Sequence, residues 1–122
     1  MKMPALFIGH GSPMLAISPN ESTAYWQSLA ATMPRPRAIV CISAHWVTRG
    51  TSVTAQKQPE MIYDMYGFPE ALYQVQYPAK GDPVLARQTA ALLGDAVTTE
   101  TWGLDHGAWS VLKYLYPDAD VP

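Results

Sequence analysis

A chain of 122 residues is one domain's worth of polypeptide, enough to bury roughly two-thirds of the surface it exposes when unfolded. Its 48% apolar and 15% charged composition excludes disordered and fibrous classes. A net charge of -2, with both signs scattered, offers no electrostatic footprint for nucleic acid or an anionic membrane, so neither is expected as a partner.

The single cysteine, Cys41, lies in the apolar run Ala38-Ile39-Val40-Cys41-Ile42. It reads as a small buried hydrophobe without an internal disulfide partner, which fits a reduced, cytoplasmic setting. The first apolar run, Ala5-Leu6-Phe7-Ile8, is too short for a signal-peptide core or a membrane span.

In chain order, that run reads as a buried strand ending at Gly9-His10-Gly11-Ser12-Pro13. The flanking glycines let a metal or a substrate approach the imidazole closely, and a tight turn with a water-facing histidine explains the motif equally well. Ser18-Pro19-Asn20-Glu21 has the spacing of a capping box. It predicts a helix through about Thr32, with Tyr25, Leu29 and Met33 on its apolar face and Trp26 and Ala30 beside them. Pro34 and Pro36 stop it.

Residues 38–42 read as a second strand, buried on both faces as in a parallel sheet between helices. Strand, helix and strand make a βαβ unit, which places His10 and His45 at the carboxyl ends of parallel strands, where open α/β sheets hold ligands. The expected class is therefore α/β, a mostly parallel sheet flanked by helices. A short third strand is expected within residues 50–55. The aromatic stretch from Pro59, with Tyr63, Tyr66, Phe68, Tyr73 and Tyr77, allows a helical turn near residues 69–73. It suits a pocket wall, and composition alone favours a loop pinned to the surface by apolar anchors.

Asp82-Pro83 caps a helix bearing Leu85, Leu92 and Leu93 that stops at Gly94. Residues 96–101 are rich in strand formers. A final helix carries Val111, Leu112, Leu115 and Tyr116, with His106 at or near its amino terminus. There the helix dipole favours a neutral imidazole able to bind a metal or accept a proton; a plain capping role is the alternative. Residues 116–122 read as a helix stop, a turn and the start of a further strand, so the sheet is expected to be interrupted at the carboxyl end.

All three histidines fall at element ends and none on an apolar face, which favours metal ligation over core packing. Two strand-end imidazoles supply two corners of a mononuclear site. No HExxH spacing, nucleophile elbow or phosphate-binding glycine loop is present.

The motifs Pro4-Ala5-Leu6-Phe7-Ile8-Gly9-His10-Gly11-Ser12-Pro13, Ile42-Ser43-Ala44-His45-Trp46, Gly67-Phe68-Pro69-Glu70-Ala71-Leu72-Tyr73 and Gly103-Leu104-Asp105-His106-Gly107-Ala108-Trp109 together resemble the class III extradiol ring-cleavage dioxygenases, in the 4,5-DOPA extradiol dioxygenase-like branch. The resemblance implies that His10 and His45 ligate one divalent metal, Zn2+ or Fe2+. It implies that His106 is a catalytic, substrate-binding histidine beside a catechol such as DOPA, with dioxygen as co-substrate. Family members continue beyond the equivalent of Pro122, where a further ligand histidine and the usual acid-base histidine lie. Residues 1–122 are thus expected to be the amino-terminal part of a single extradiol dioxygenase-like domain, weakly active or inactive alone. A zinc-dependent hydrolase using the same histidines and a noncatalytic module that self-associates into a homo-oligomer are the competing readings.

Overall fold

A computed structural model of the chain describes residues 2–122. The elements in order are a 3-10 turn Pro13–Ala16, helix α1 Glu21–Thr32, strand β1 Ser52–Thr54, the single-turn helix α2 Glu70–Tyr73, helix α3 Pro83–Leu93, strand β2 Val97–Thr99 and helix α4 His106–Leu115. The class is α/β, and the described strands β1 and β2 pair in parallel, with Ser52 opposite Val97 and Thr54 opposite Thr99. These are the third and fourth predicted strands.

Helix starts follow local chemistry. The capping box of α1 lies two residues later than the sequence spacing suggests: Asn20 Oδ1 accepts the Thr23 N–H, and Thr23 Oγ1 accepts the Asn20 N–H. Ser18 is already committed, because its own N–H closes the preceding turn on the Met14 carbonyl. The buried face of α1 is turned accordingly, with Thr23 and Trp26 inside and Tyr25 63% exposed. Asp82 caps α3 as predicted, and Gly94 ends that helix at a positive φ of 86°. Here Ala86 and Ala90 face inward while Leu92 and Leu93 are exposed, so small side chains are what lie between α3 and the sheet.

The core is assembled around α4, which buries eight of its ten residues. Trp26 of α1, Leu72 of α2 and the loop residue Tyr77 join it in one cluster. Buried polar atoms are satisfied as the chain wraps this helix: the Trp109 indole donates to the Ile62 carbonyl at 3.0 Å and Tyr77 Oη to the Tyr116 carbonyl at 2.9 Å. The aromatic stretch is thus a loop pinned to α4.

Residues 5–8 and 38–42 depart from expectation. Neither segment is hydrogen-bonded into the sheet, and among the described residues 38–42 make one backbone hydrogen bond, from the Ile39 N–H to the Pro122 carbonyl at 2.7 Å. Ile8 and Ile39 pack on the core, but Phe7 and Ile42 are open to solvent. Among the described residues the burial expected on both faces is present on one, since Phe7, Val40 and Ile42 are exposed. Cys41, expected inside, is exposed as well.

Candidate metal centre

Three loops deliver three imidazoles to one place. Gly11 turns the chain at φ 63°, and the Ser12 hydroxyl accepts the Met14 N–H to start the 3-10 turn. That turn lies against α4, where the Leu15 carbonyl accepts a hydrogen bond from Tyr114 Oη, so His10 is held by a short tether. His45 follows Ser43, whose Oγ accepts the His45 N–H at 3.1 Å and donates to Asp105 Oδ1 at 2.7 Å. His106 is the first residue of α4 and is buried.

The ring centroids of His45 and His106 are 4.0 Å apart, and those of His10 and His45 are 4.8 Å apart. One potential ligand nitrogen from each of the three residues falls within 4.8 Å of the others. His10 Nε2 and His45 Nε2 approach to 2.8 Å, close enough to share one hydrogen. Two nitrogens on a single ion at about 2.1 Å each stand at most about 4.2 Å apart. The donor types suit a divalent cation, and the His10 and His45 nitrogens stand within that span.

Two carboxylates, neither singled out by sequence, organise the group. Asp64 Oδ1 accepts both the His106 backbone N–H and the Nδ1 side of the ring, each at 2.9 Å. Burial works against ionisation of Asp64, but these hydrogen bonds outweigh it and hold the carboxyl below its usual range. An ionised carboxylate accepts only, so Nδ1 carries the hydrogen, and in the neutral ring it is Nε2 that offers the lone pair. This is the carboxylate–histidine arrangement that fixes tautomer and orientation at metal sites.

Asp64 reaches the centre because residues 60–62 run beside Leu104, with Ile62 donating to the Leu104 carbonyl at 2.7 Å and Leu104 to the Glu60 carbonyl at 2.8 Å. Gly103 permits that approach, since a Cβ there would lie 2.1 Å from the Glu60 carbonyl oxygen.

Asp105, 1% exposed, caps α4 through the Ala108 N–H and accepts hydrogen bonds from Ser43 Oγ and the Trp102 indole. It ties the His45 loop to the helix that bears His106. Its sequence signal was its place one residue before a predicted helix start. Asp64, a lone acid among aromatics, had no local signal. At Gly107 a Cβ would lie 2.8 Å from both His45 Cδ2 and Ser43 Oγ, so the glycine is what lets the His45 loop close on the helix. Burial first, then the neighbouring His45 and His106, depress the His10 pKa, with Asp105 and Asp64 opposing. That environment favours neutral, ligand-competent imidazole.

The structure brings His10, His45 and His106 together as the motifs anticipated. A helix-flanked parallel sheet with a three-histidine cluster defines a candidate metal enzyme, and comparison with known proteins specifies the kind. The family model described as the catalytic LigB subunit of aromatic ring-opening dioxygenase matches residues 4–122. The chain belongs to this family.

Among relatives, it is 55% identical to the 4,5-DOPA dioxygenase extradiol of Escherichia coli K12, over 99% of this chain and 46% of that protein. It is 42% identical to the Beta vulgaris protein of the same name, over 95% of this chain and 46% of that one. A crystal structure of an uncharacterised E. coli K12 protein superposes with a TM-score of 0.66 at 46% identity, over 84% of this chain and 38% of that one. The chain thus spans less than half the length of the curated relatives it matches.

Proposed function

We propose that His10 and His45 ligate one divalent metal, Zn2+ or Fe2+, in a centre for extradiol cleavage of a catechol such as DOPA by dioxygen. In this reading residues 1–122 form the amino-terminal part of a single extradiol dioxygenase-like domain. The observation that carries it is the convergence of three imidazoles, one of them locked by Asp64. Identity to two proteins named 4,5-DOPA dioxygenase extradiol supports the choice of substrate class.

A bound divalent ion supplies Lewis acidity and a template for the diol oxygens. The chain's own residues do the rest. His106, with its Nδ1 hydrogen given to Asp64, presents Nε2 to accept a proton from a catechol hydroxyl. Ser43 and Asp105 hold His45 at the rim, and Gly107 keeps the space between them clear. His45 is exposed, so the centre lies open to water. The 122-residue chain alone is accordingly a weak or inactive catalyst.

Equilibrium dialysis against Zn2+, and against Fe2+ without oxygen, tests the ligand assignment. One equivalent of metal is expected, lost in both His10→Ala and His45→Ala. Stoichiometric metal in both variants refutes it. An oxygen electrode with DOPA as substrate tests the activity: vigorous uptake by the 122-residue protein would contradict the weak-catalyst reading.

A further inference from the structure

We propose that Trp46 and Trp102 form a clasp that positions the His45 imidazole, a proposal that rests on the reading of His45 as a metal ligand. His45 is exposed, so the accuracy with which its ring is presented depends on the backbone that carries it. That backbone is the four-residue turn Ser43-Ala44-His45-Trp46, in which the Trp46 N–H donates to the Ser43 carbonyl at 3.5 Å. A bond of that length is weak. The turn therefore relies on what holds the side chains at its two ends.

The first end is held directly, since Ser43 Oγ donates to Asp105 Oδ1 at 2.7 Å. The last end is held by stacking. The rings of Trp46 and Trp102 have centroids 5.9 Å apart and planes within 3° of parallel, inside the range of offset-stacked aromatic pairs. Trp102 is itself fixed at two further points. Its indole N–H donates to Asp105 Oδ2 at 3.1 Å, and its carbonyl accepts Thr54 Oγ1 of β1 at 3.0 Å.

Both ends of the turn thus lead to the one carboxylate of Asp105, one to each oxygen. Asp105 is 1% exposed and caps α4. His45 lies between the two attachments, and His106 follows Asp105 directly in the chain. The 4.0 Å between the His45 and His106 ring centroids is accordingly set from a single buried group through two arms. With the Trp46 arm released, Ser43 is the remaining attachment and the turn pivots about it. Partners that orient a ligand imidazole in this way commonly matter tenfold or more in metal affinity, on the order of 10–100-fold. Both tryptophans act through the His45 backbone and are positioning residues.

The test compares the 122-residue protein with Trp46→Ala and Trp46→Phe in two measurements. In metal-free protein, NMR cross-relaxation between the ring hydrogens of His45 and His106 is expected to fall at least about threefold in Trp46→Ala and to return in Trp46→Phe, which restores a ring face. The His106 Nδ1 proton signal should stay native in both, whereas a general loosening of the fold would move it. Zn2+ affinity by calorimetry is expected to fall about tenfold in Trp46→Ala and to recover in Trp46→Phe. Unchanged ring contacts in Trp46→Ala, loss of the Nδ1 signal along with them, or unchanged Zn2+ affinity despite weakened contacts would each overturn the proposal. If the native chain takes up no Zn2+, the metal reading fails, and the ring contacts still decide whether the clasp exists. If Trp46→Ala does not fold, Trp46→Leu, which keeps apolar bulk without a ring face, is read against Trp46→Phe by the same contacts.

Discussion

Helix α4 and the run 38–42 are both strongly apolar, yet they meet opposite fates. Trp109 at the centre of α4 is 0% exposed, whereas Ile42 is 95% exposed. The helix is enclosed by α1, the 3-10 turn and the aromatic loop, and its polar groups are answered from each side. The run has one packed face and one hydrogen-bonded rung. The contrast teaches that apolar composition creates a demand for burial, while neighbours decide whether it is met. The three-histidine cluster lies between the two regions: His106 stands on the enclosed helix, and His45 just beyond the open run.

Substitutions can break this contrast, beginning with the enclosed side. Trp109→Ala removes the largest fully buried side chain and its bond to the Ile62 carbonyl. A loss of about 3–5 kcal/mol is expected in urea denaturation, as for other buried aromatic truncations. A loss under about 1 kcal/mol would mean that α4 is not the organising element.

Alkali probes the same region. Burial, with smaller contributions from Asp120 and Tyr116, pushes the Tyr77 phenol up to about 12. The folded pKa is raised above the unfolded value of about 10, so the contribution is complete below pH 10. It declines as pH rises toward 12, because the unfolded state then ionises first. The two-unit difference corresponds to roughly 2–3 kcal/mol. The check is stability against pH for the native chain and Tyr77→Phe, of which only the native chain should lose this increment.

At the boundary, Asp64→Asn keeps an oxygen for both His106 hydrogen bonds but removes the charge. With His10 and His45 as the proposed ligands, Zn2+ affinity measured by calorimetry should change little, while the His106 Nδ1 proton followed by NMR should exchange at least about tenfold faster in Asp64→Ala. An unchanged Nδ1 proton signal in both variants would remove Asp64 from the centre.

The smallest effect belongs to the open run. Ile42→Ser should shift stability by no more than about 0.5 kcal/mol, as at other exposed positions. A loss above about 1.5 kcal/mol would show that this face is covered in solution.

Much of the local structure was legible because it rests on neighbouring residues. Asp82-Pro83 and Gly94 bound α3 as read, since a cap needs only the amides that follow it. The α1 cap slipped by two residues because the preceding turn had claimed the Ser18 N–H, a competition that spacing does not display. The centre divides in the same way. His10, His45 and His106 were found from glycine punctuation and motif order. Asp64 was not, because it reaches His106 across 42 positions through a pairing with Leu104 that only the folded chain creates.

Sequence alone therefore determined the α/β class, the limits of α3 and the identity of the three imidazoles, all of which depend on local backbone chemistry and side-chain type. Tertiary structure decided which apolar runs are covered, which carboxylate sets the His106 tautomer and how near the imidazoles stand. Those are distances between segments remote in the chain, set by packing around α4.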